Sequence, residues 1–178
     1  MSLQEGQTYK IVNAKTGTIV DVSGMDNMTV SGYTDKNGDN QKVRVSSPAS
    51  AIDGAALVAS VLLTDIQLAF ILQFRLEKND KGKWIFRVMS NQNQYIGFNG
   101  SSKDGTPLVA QEDPCGWDIW PDEQQDGSYR VFVPDAPAPG LNWDLSDHGN
   151  ATAGTAITLW GKWEARQAPV LELRPCLR

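Results

Sequence analysis

Short segments of alternating apolar and polar residues recur along the chain, bounded by residues that favour turns. Near the N-terminus, Tyr9–Asn13 and Thr18–Val22 alternate in this way on either side of the turn Ala14–Gly17, which predicts a β-hairpin. Further segments of the same kind are Trp84–Val88, Gln94–Phe98, Pro107–Ala110, Tyr129–Val133, Leu141–Leu145 and Ala156–Trp160. Because little of this pattern has helical periodicity, it predicts an all-β protein.

The segment Leu141–Gly149 has a counterpart near the N-terminus. Ile19–Asn27 aligns with Asn142–Asn150, so that Asp21 falls on Asp144. Two copies of one pattern, far apart in the chain, indicate an internally repeated fold with more than one potential binding pocket.

The aromatic residues that open three of the predicted strands give the period of the repeat. Trp84 and Tyr129 lie 45 residues apart, whereas Tyr9 and Trp84 lie 75 residues apart. Removing the 31 residues 43–73, which match neither other copy, reduces the longer spacing to 44. We therefore predict three repeats of about 45 residues that contribute to a shared core.

This period predicts a single domain, 1–178, whose parts follow one another in order. They are repeat one (1–42 plus 74–80), an atypical apolar insert (43–73), repeat two (81–125) and repeat three (126–178).

Composition narrows the class of protein. The chain has 178 residues, 40% of them apolar, with 16 glycines and 9 prolines, which suits a turn-rich folded domain. The net charge of −5 argues against binding to nucleic acid or to an anionic membrane surface. The N-terminus lacks the features of a signal peptide, and two cysteines, Cys115 and Cys176, cannot form a disulfide framework. We therefore expect a cytoplasmic protein.

Six motifs, taken together and in order, resemble the fungal ricin-B-type lectins. They are Gly6–Asn13, Gly38–Lys42, Trp117–Trp120, Tyr129–Pro134, Asn142–Asn150 and Thr158–Glu164. The resemblance implies a β-trefoil, in which twelve strands form three repeats, six strands make a short barrel and six cap it as hairpins. It also implies a lectin that needs no cofactor, binds glycans or glycoproteins, often dimerises with itself, and serves in fungal defence.

The chain departs from the family at the Gln-x-Trp sequence that closes each repeat. In repeat one, Gln41 is followed by the insert, and Phe74 is the natural aromatic residue if the insert loops out. Repeat two keeps Trp117. Repeat three has Pro169 at the aromatic position, and proline lacks the amide that a paired strand needs. The sequence therefore leaves the last strand in doubt and suggests an altered tail from Pro169 to Arg178. The core would lose one large aromatic residue, at a cost on the order of a few kcal/mol.

The insert 43–73 is rich in apolar residues but is interrupted by Asp65 and Gln67, which argues against a membrane span. Three hypotheses remain open for it. It forms an amphipathic helix on the barrel, it is a retained intron translated in frame, or it serves as a membrane or partner segment.

The resemblance places the main sugar site in repeat one. Its residues are Asp21, Gly24, Tyr33, Lys36 and Asn40. A carboxylate and an amide can hold paired sugar hydroxyls, and an aromatic ring can cover the apolar face of the sugar. The alternative is that Asp21 and Asn40 cap their own loops.

Repeat three offers a second potential carbohydrate site. Its residues are Asp144, His148, Asn150 and Trp160. Because Arg166 stands where Asn40 supplies an amide in repeat one, we expect this second site to be partly degraded. Repeat two has Gly97 at the carboxylate position and is not expected to bind in this way.

The sequence contains few residues or motifs suited to catalysis. The sequence has one histidine and no metal-ligand cluster, phosphate loop or serine-nucleophile motif. A thiol–imidazole pair could be formed by Cys115 and His148. A packing role for Cys115 is the favoured interpretation, because a buried cysteine commonly packs as a small hydrophobic residue. We therefore expect no catalytic residue and no metal. The resemblance implies a lectin for galactose- or N-acetylgalactosamine-type glycans. The alternative is an inhibitor of cysteine or serine proteases that acts through surface loops, a role that fungal trefoils also serve.

Overall fold

A computed structural model describes residues 3–34, 74–123, 125–136, 140–161 and 171–175. This described part of the chain contains twelve β-strands, namely β1 Thr8–Asn13, β2 Ile19–Val22, β3 Val30–Tyr33, β4 Phe74–Lys78, β5 Trp84–Val88, β6 Tyr95–Phe98, β7 Leu108–Gln111, β8 Asp118–Pro121, β9 Tyr129–Phe132, β10 Leu141–Leu145, β11 Thr155–Gly161 and β12 Leu171–Pro175. Each alternating segment of the sequence overlaps one of these strands, and its ends differ from those of the strand by at most one residue.

Six of the strands close into a barrel. Strand β1 pairs with β4, β4 with β5, β8 with β9, β9 with β12, and β12 with β1, all antiparallel. An isolated bridge between Trp84 and Trp117 joins β5 to the start of β8 and completes the ring. Closure leaves no free sheet edge around the barrel, which protects the strands from pairing with other chains.

The other six strands form three hairpins, β2–β3, β6–β7 and β10–β11. The hairpins also contact one another. Gly32 pairs with Thr155, Thr29 bridges to Val109, and Pro107 bridges to Thr158. Three hairpins linked in this cyclic way cap one end of a six-stranded barrel, which is a β-trefoil. The predicted fold is therefore confirmed.

Large side chains from all three repeats fill the core. Phe74, Phe86, Trp117 and Trp143 are almost completely buried. The ring of Trp117 meets that of Trp143 edge-on at a centroid distance of 5.1 Å, and Phe86 lies 4.8 Å from Trp143. Such aromatic contacts contribute beyond the area they bury, so the core fixes how the repeats pack together.

The C-terminal strand corrects one expectation from the sequence. Strand β12 is present, and its five residues each pair with a residue of β1. Its first residue, Leu171, stands opposite Tyr129, just as Phe74 stands opposite Tyr9. The buried Leu171 therefore occupies the third closing position. For residues 171–175 the expected altered tail was wrong, because the strand begins beyond Pro169 and the proline that it contains, Pro175, stands only at its last position, opposite Tyr9.

The single helical segment in the described part of the chain is Ser146–Gly149, a tight turn. Asp147 and His148 have φ values of 56° and 58°, and Gly149 has 79°, so three successive residues are left-handed. Such conformations are costly for residues other than glycine, although Asp and His tolerate them better than most. The turn therefore depends on its surroundings for support.

No helix among the described residues is long and apolar enough to span a membrane. The insert 43–73, Lys36, Asn40, Arg166 and Pro169 lie outside the described residues, and the hypotheses about them stay predictions.

Candidate functional site

Strand register places the three repeats in equivalent positions. Asp21 pairs with Ser31 in β2–β3, Gly97 with Val109 in β6–β7, and Asp144 with Thr158 in β10–β11. Three other cross-strand pairs, two residues further along each hairpin, are Ile19 with Tyr33, Tyr95 with Gln111, and Asn142 with Trp160. Side chains alternate between the two faces of a strand. Residues that share a face across each hairpin are therefore Asp21 with Tyr33, Gly97 with Gln111, and Asp144 with Trp160.

A cavity of about 540 Å³ lies beside the β10–β11 hairpin of repeat three. Asp144 comes from β10 and Trp160 from β11, while Asp147 and His148 come from the left-handed turn between the strands. Lys15 enters from the β1–β2 turn of repeat one. The volume lies within the range of small-molecule sites.

Thr158 organises the polar side of this cavity. Its buried hydroxyl oxygen accepts a hydrogen bond from the indole N–H of Trp160 at 2.9 Å and lies 3.0 Å from Ser146 Oγ. These contacts fix the orientation of the Trp160 ring and hold the start of the turn against β11. The indole is therefore a pre-oriented wall of the cavity.

Asp144 is the partly buried carboxyl group of the cavity. Desolvation raises its pKa to about 6, and the Leu145 amide, His148, Lys15 and Arg130 lower it by smaller amounts. No side chain in the described part of the chain forms a hydrogen bond with the Asp144 carboxylate. Above its pKa, the carboxylate therefore presents acceptor oxygens to a ligand.

Asn150 supports the turn from outside the cavity. Its side-chain N–H donates to Asp147 Oδ2 at 3.0 Å, and its Oδ1 accepts from the backbone N–H of Thr152 at 2.9 Å. Asn150, which the sequence suggested as a contact residue, is not among the cavity's lining residues. The structure instead gives it a positioning role.

In repeat one, Asp21 and Tyr33 lie on the same face of the β2–β3 hairpin. Burial raises the pKa of Asp21, and the Tyr33 side chain is exposed. Gly24 lies in the loop after β2, with no atom near the position that its Cβ would take. The structure thus brings a carboxylate and an aromatic ring together here.

Repeat two has no carboxylate at the matching place. A Cβ on Gly97 would lie only 2.6 Å from the side-chain carboxamide of Gln111. Gln111 itself donates from Nε2 to the Asp113 carbonyl oxygen at 2.8 Å. The space that Asp144 occupies in repeat three is therefore filled by a glutamine in repeat two.

The one cysteine in the described part of the chain is poorly suited to nucleophilic chemistry. Burial raises the pKa of the Cys115 thiol to about 11, which keeps it neutral, and the side chain packs against the hydrophobic core. Thiolate, not thiol, is the nucleophile. No group of three or more potential metal ligands occurs among the residues that the structure describes.

Sequence reasoning missed Lys15, Ser146 and Thr158. Strand alternation could have found Thr158, because it lies two residues before Trp160 in a predicted strand. Lys15 carried no such signal, since it belongs to a different repeat and reaches the cavity only through the tertiary fold.

The chain is similar to the solved structure of a ricin B-like lectin from Macrolepiota procera in complex with lactose. The two are 32% identical, the match covers 98% of this chain and 99% of that one, and the TM-score is 0.71. No protein-family model and no curated protein matches the sequence.

Two further structures share the fold. They are the Rhizoctonia solani agglutinin (17% identity, 98% of each chain, TM-score 0.65) and the designed three-fold symmetric protein ThreeFoil (16% identity, 94% of this chain and 97% of that one, TM-score 0.63). These two structures show the fold alone, and the family follows from the 32% identity to the Macrolepiota lectin over nearly the whole chain. The chain belongs to the ricin B-like lectin family.

Proposed function

We propose that this protein binds glycans through the repeat-three cavity, with Asp144 as the main acceptor of hydrogen bonds from sugar hydroxyls. The observation that carries the proposal is the Asp144 carboxylate, which has no side-chain hydrogen-bond partner among the described residues and lies in a cavity of about 540 Å³ beside an oriented tryptophan. This choice reverses the preference drawn from the sequence, which favoured Asp21.

The chemistry of the cavity suits a sugar ring. An ionised Asp144 accepts hydrogen bonds from two neighbouring hydroxyl groups, and such charge-assisted bonds are the stronger kind. Trp160 covers the apolar face of the ring, while His148 on the left-handed turn supplies a further polar contact. Binding of this kind involves no catalytic step.

The ligand class we propose is a galactose- or N-acetylgalactosamine-type glycan. Its support is the family and the lactose bound by the similar Macrolepiota lectin. Repeat one is proposed as a second, weaker site, formed by Asp21 and Tyr33 together with Gly24, Lys36 and Asn40.

The test compares Asp144→Ala with Asp21→Ala, because the two residues occupy equivalent places in their hairpins. We expect Asp144→Ala to lower lactose affinity at least about tenfold, since a charged acceptor is lost, and Asp21→Ala to change it little. Isothermal titration calorimetry measures the affinities, and circular dichroism melting checks that both variants fold.

Two results would contradict the proposal. Loss of binding in Asp21→Ala alone would return the main site to repeat one. A glycan array without any bound glycan, combined with inhibition of a cysteine or serine protease, would replace the lectin function with that of an inhibitor.

A further inference from the structure

Lys15 belongs to repeat one but lines the cavity of repeat three. Its Nζ lies 3.8 Å from the position that a Cβ on Gly149 would occupy, so the ammonium group rests against the left-handed turn. The turn carries Asp147 and His148, which also line the cavity. One wall of the site is therefore built by a neighbouring repeat.

The backbone that carries Lys15 is held firmly. Asn13 Oδ1 accepts hydrogen bonds from the backbone N–H groups of Lys15 and Thr16, each at 3.0 Å. The Gly17 N–H donates to the Asn13 carbonyl oxygen at 2.8 Å, and the Asn13 N–H donates to Thr18 O at 2.8 Å. Because Asn13 is buried, this turn is a rigid base for the lysine.

Within the described part of the chain, the charge of Lys15 is not neutralised by an ion pair with a carboxylate. The lysine is nevertheless near enough to lower the pKa of Asp144 by electrostatic attraction. The nearby Asp147 already accepts a hydrogen bond from Asn150. The cavity therefore has a carboxylate acceptor and a separate cationic donor, with space between them for a ligand.

From this arrangement we infer that Lys15 is a specificity-determining residue that favours glycans carrying an anionic group on or beside the sugar bound by Asp144. The inference rests on the proposed function, because it assigns the ligand class of the same cavity. Sulfate and carboxylate groups both offer the acceptor oxygens that an ammonium group binds. A neutral galactoside fills the Asp144 side of the cavity and leaves Lys15 with a weaker partner.

The experiment measures affinities for three ligands by isothermal titration calorimetry. The ligands are lactose, lactose with a sulfate on its galactose, and lactose extended by sialic acid. We expect the unmodified protein to prefer at least one anionic ligand over lactose by roughly three- to fivefold, as for a partly exposed ion pair. The preference should shrink when salt is raised from 50 to 300 mM. The anionic ligand that shows the preference identifies the source of the charge.

Three variants test the residue itself. Lys15→Met should lower the affinity for the preferred anionic ligand at least about threefold more than the affinity for lactose and so abolish the preference, whereas Lys15→Arg should retain it. Lys81→Met is the matched control, because Lys81 is also exposed and also follows an asparagine by two residues, with its N–H bonded to Asn79 Oδ1 at 3.0 Å. It removes the same charge from a turn outside the cavity and should leave all three affinities unchanged.

The possible failures are distinguishable. Equal affinity for lactose and both anionic ligands, or a preference that survives in Lys15→Met, would overturn the role of Lys15 and leave the proposed function intact. An unmodified protein that binds none of the three ligands would overturn both.

Discussion

At the scale of single residues, Asp144 and Asp21 occupy equivalent positions in their repeats but have different surroundings. Both stand at the same register of their hairpins and both have raised pKa values through burial. Only Asp144 lies in the cavity of about 540 Å³ that the left-handed turn, Trp160 and Lys15 enclose. Matching the two repeats in the sequence found the equivalence of the two carboxylates, but the part of the cavity wall that Lys15 supplies comes from a residue distant in the chain.

The pKa of Asp144, raised to about 6, predicts that glycan binding depends on pH. The ionised carboxylate accepts two hydroxyl hydrogen bonds, whereas the protonated form offers a weaker acceptor. Lactose affinity should therefore fall as the pH drops from 8 through about 6 to 5, measured by calorimetry. A constant affinity over this range would show that the Asp144 charge does not hold the ligand.

The raised pKa of Asp144 also predicts that the stability of the fold changes with pH in the direction opposite to glycan affinity. A carboxyl whose pKa is higher in the folded state than its ordinary 3.8 makes the folded protein bind more protons between about pH 4 and pH 6. Its contribution to the free energy of unfolding therefore decreases as pH rises through this window. Asp144→Asn should melt at a higher temperature than the unmodified protein at pH 8, with the difference vanishing near pH 4. A difference that does not change with pH would contradict the assignment.

Replacing the core residues Trp117 and Trp143 by phenylalanine should destabilise the fold by unequal amounts. The Trp117 indole N–H donates to the Ile96 carbonyl oxygen at 3.0 Å, whereas the buried Trp143 N–H has no hydrogen-bond partner in the described part of the chain. Trp117→Phe should therefore destabilise the fold by about 1 kcal/mol more than Trp143→Phe. Urea denaturation of both variants measures the difference, and equal losses would argue against the hydrogen-bond assignment.

At the scale of elements, β12 is the strand that the sequence left in doubt. It closes the barrel by pairing with β1 along its full length and with β9 at Leu171. The buried Leu171 and Leu173 extend the core into this strand. In the sequence, five alternating residues predicted a strand only weakly, and Pro169 just before them argued against one. Pairing with β1 and β9 is what forms the strand.

We predict that a chain without β12 does not fold. A chain that ends at residue 169 leaves β1 and β9 without their shared partner and exposes core residues near the opening. We expect no cooperative thermal transition for this truncation, monitored by circular dichroism. A chain that ends at residue 175 retains the strand and is the control; similar melting of the two would show that β12 is dispensable.

At the scale of the whole molecule, the pseudo-threefold arrangement explains why one site can use two repeats. The hairpin cap places each hairpin next to turns of a neighbouring repeat, as when Gln94 Nε2 donates to the Asn27 carbonyl oxygen at 2.9 Å. The approach of Lys15 to the repeat-three turn follows the same neighbour relation. A cavity at such a junction can change its specificity through either repeat.

The sequence by itself determined the class of fold and the places of the carboxylates. Strand alternation, the spacing of about 45 residues and the match of Asp21 to Asp144 are local or periodic properties, and they persist in any fold that the repeats can form together. The tertiary structure alone decided which carboxylate lies in a cavity, that Leu171 closes the third repeat, and that Lys15 lines the same cavity as Asp144. These outcomes depend on contacts between strands and turns far apart in the chain, which no periodic pattern encodes.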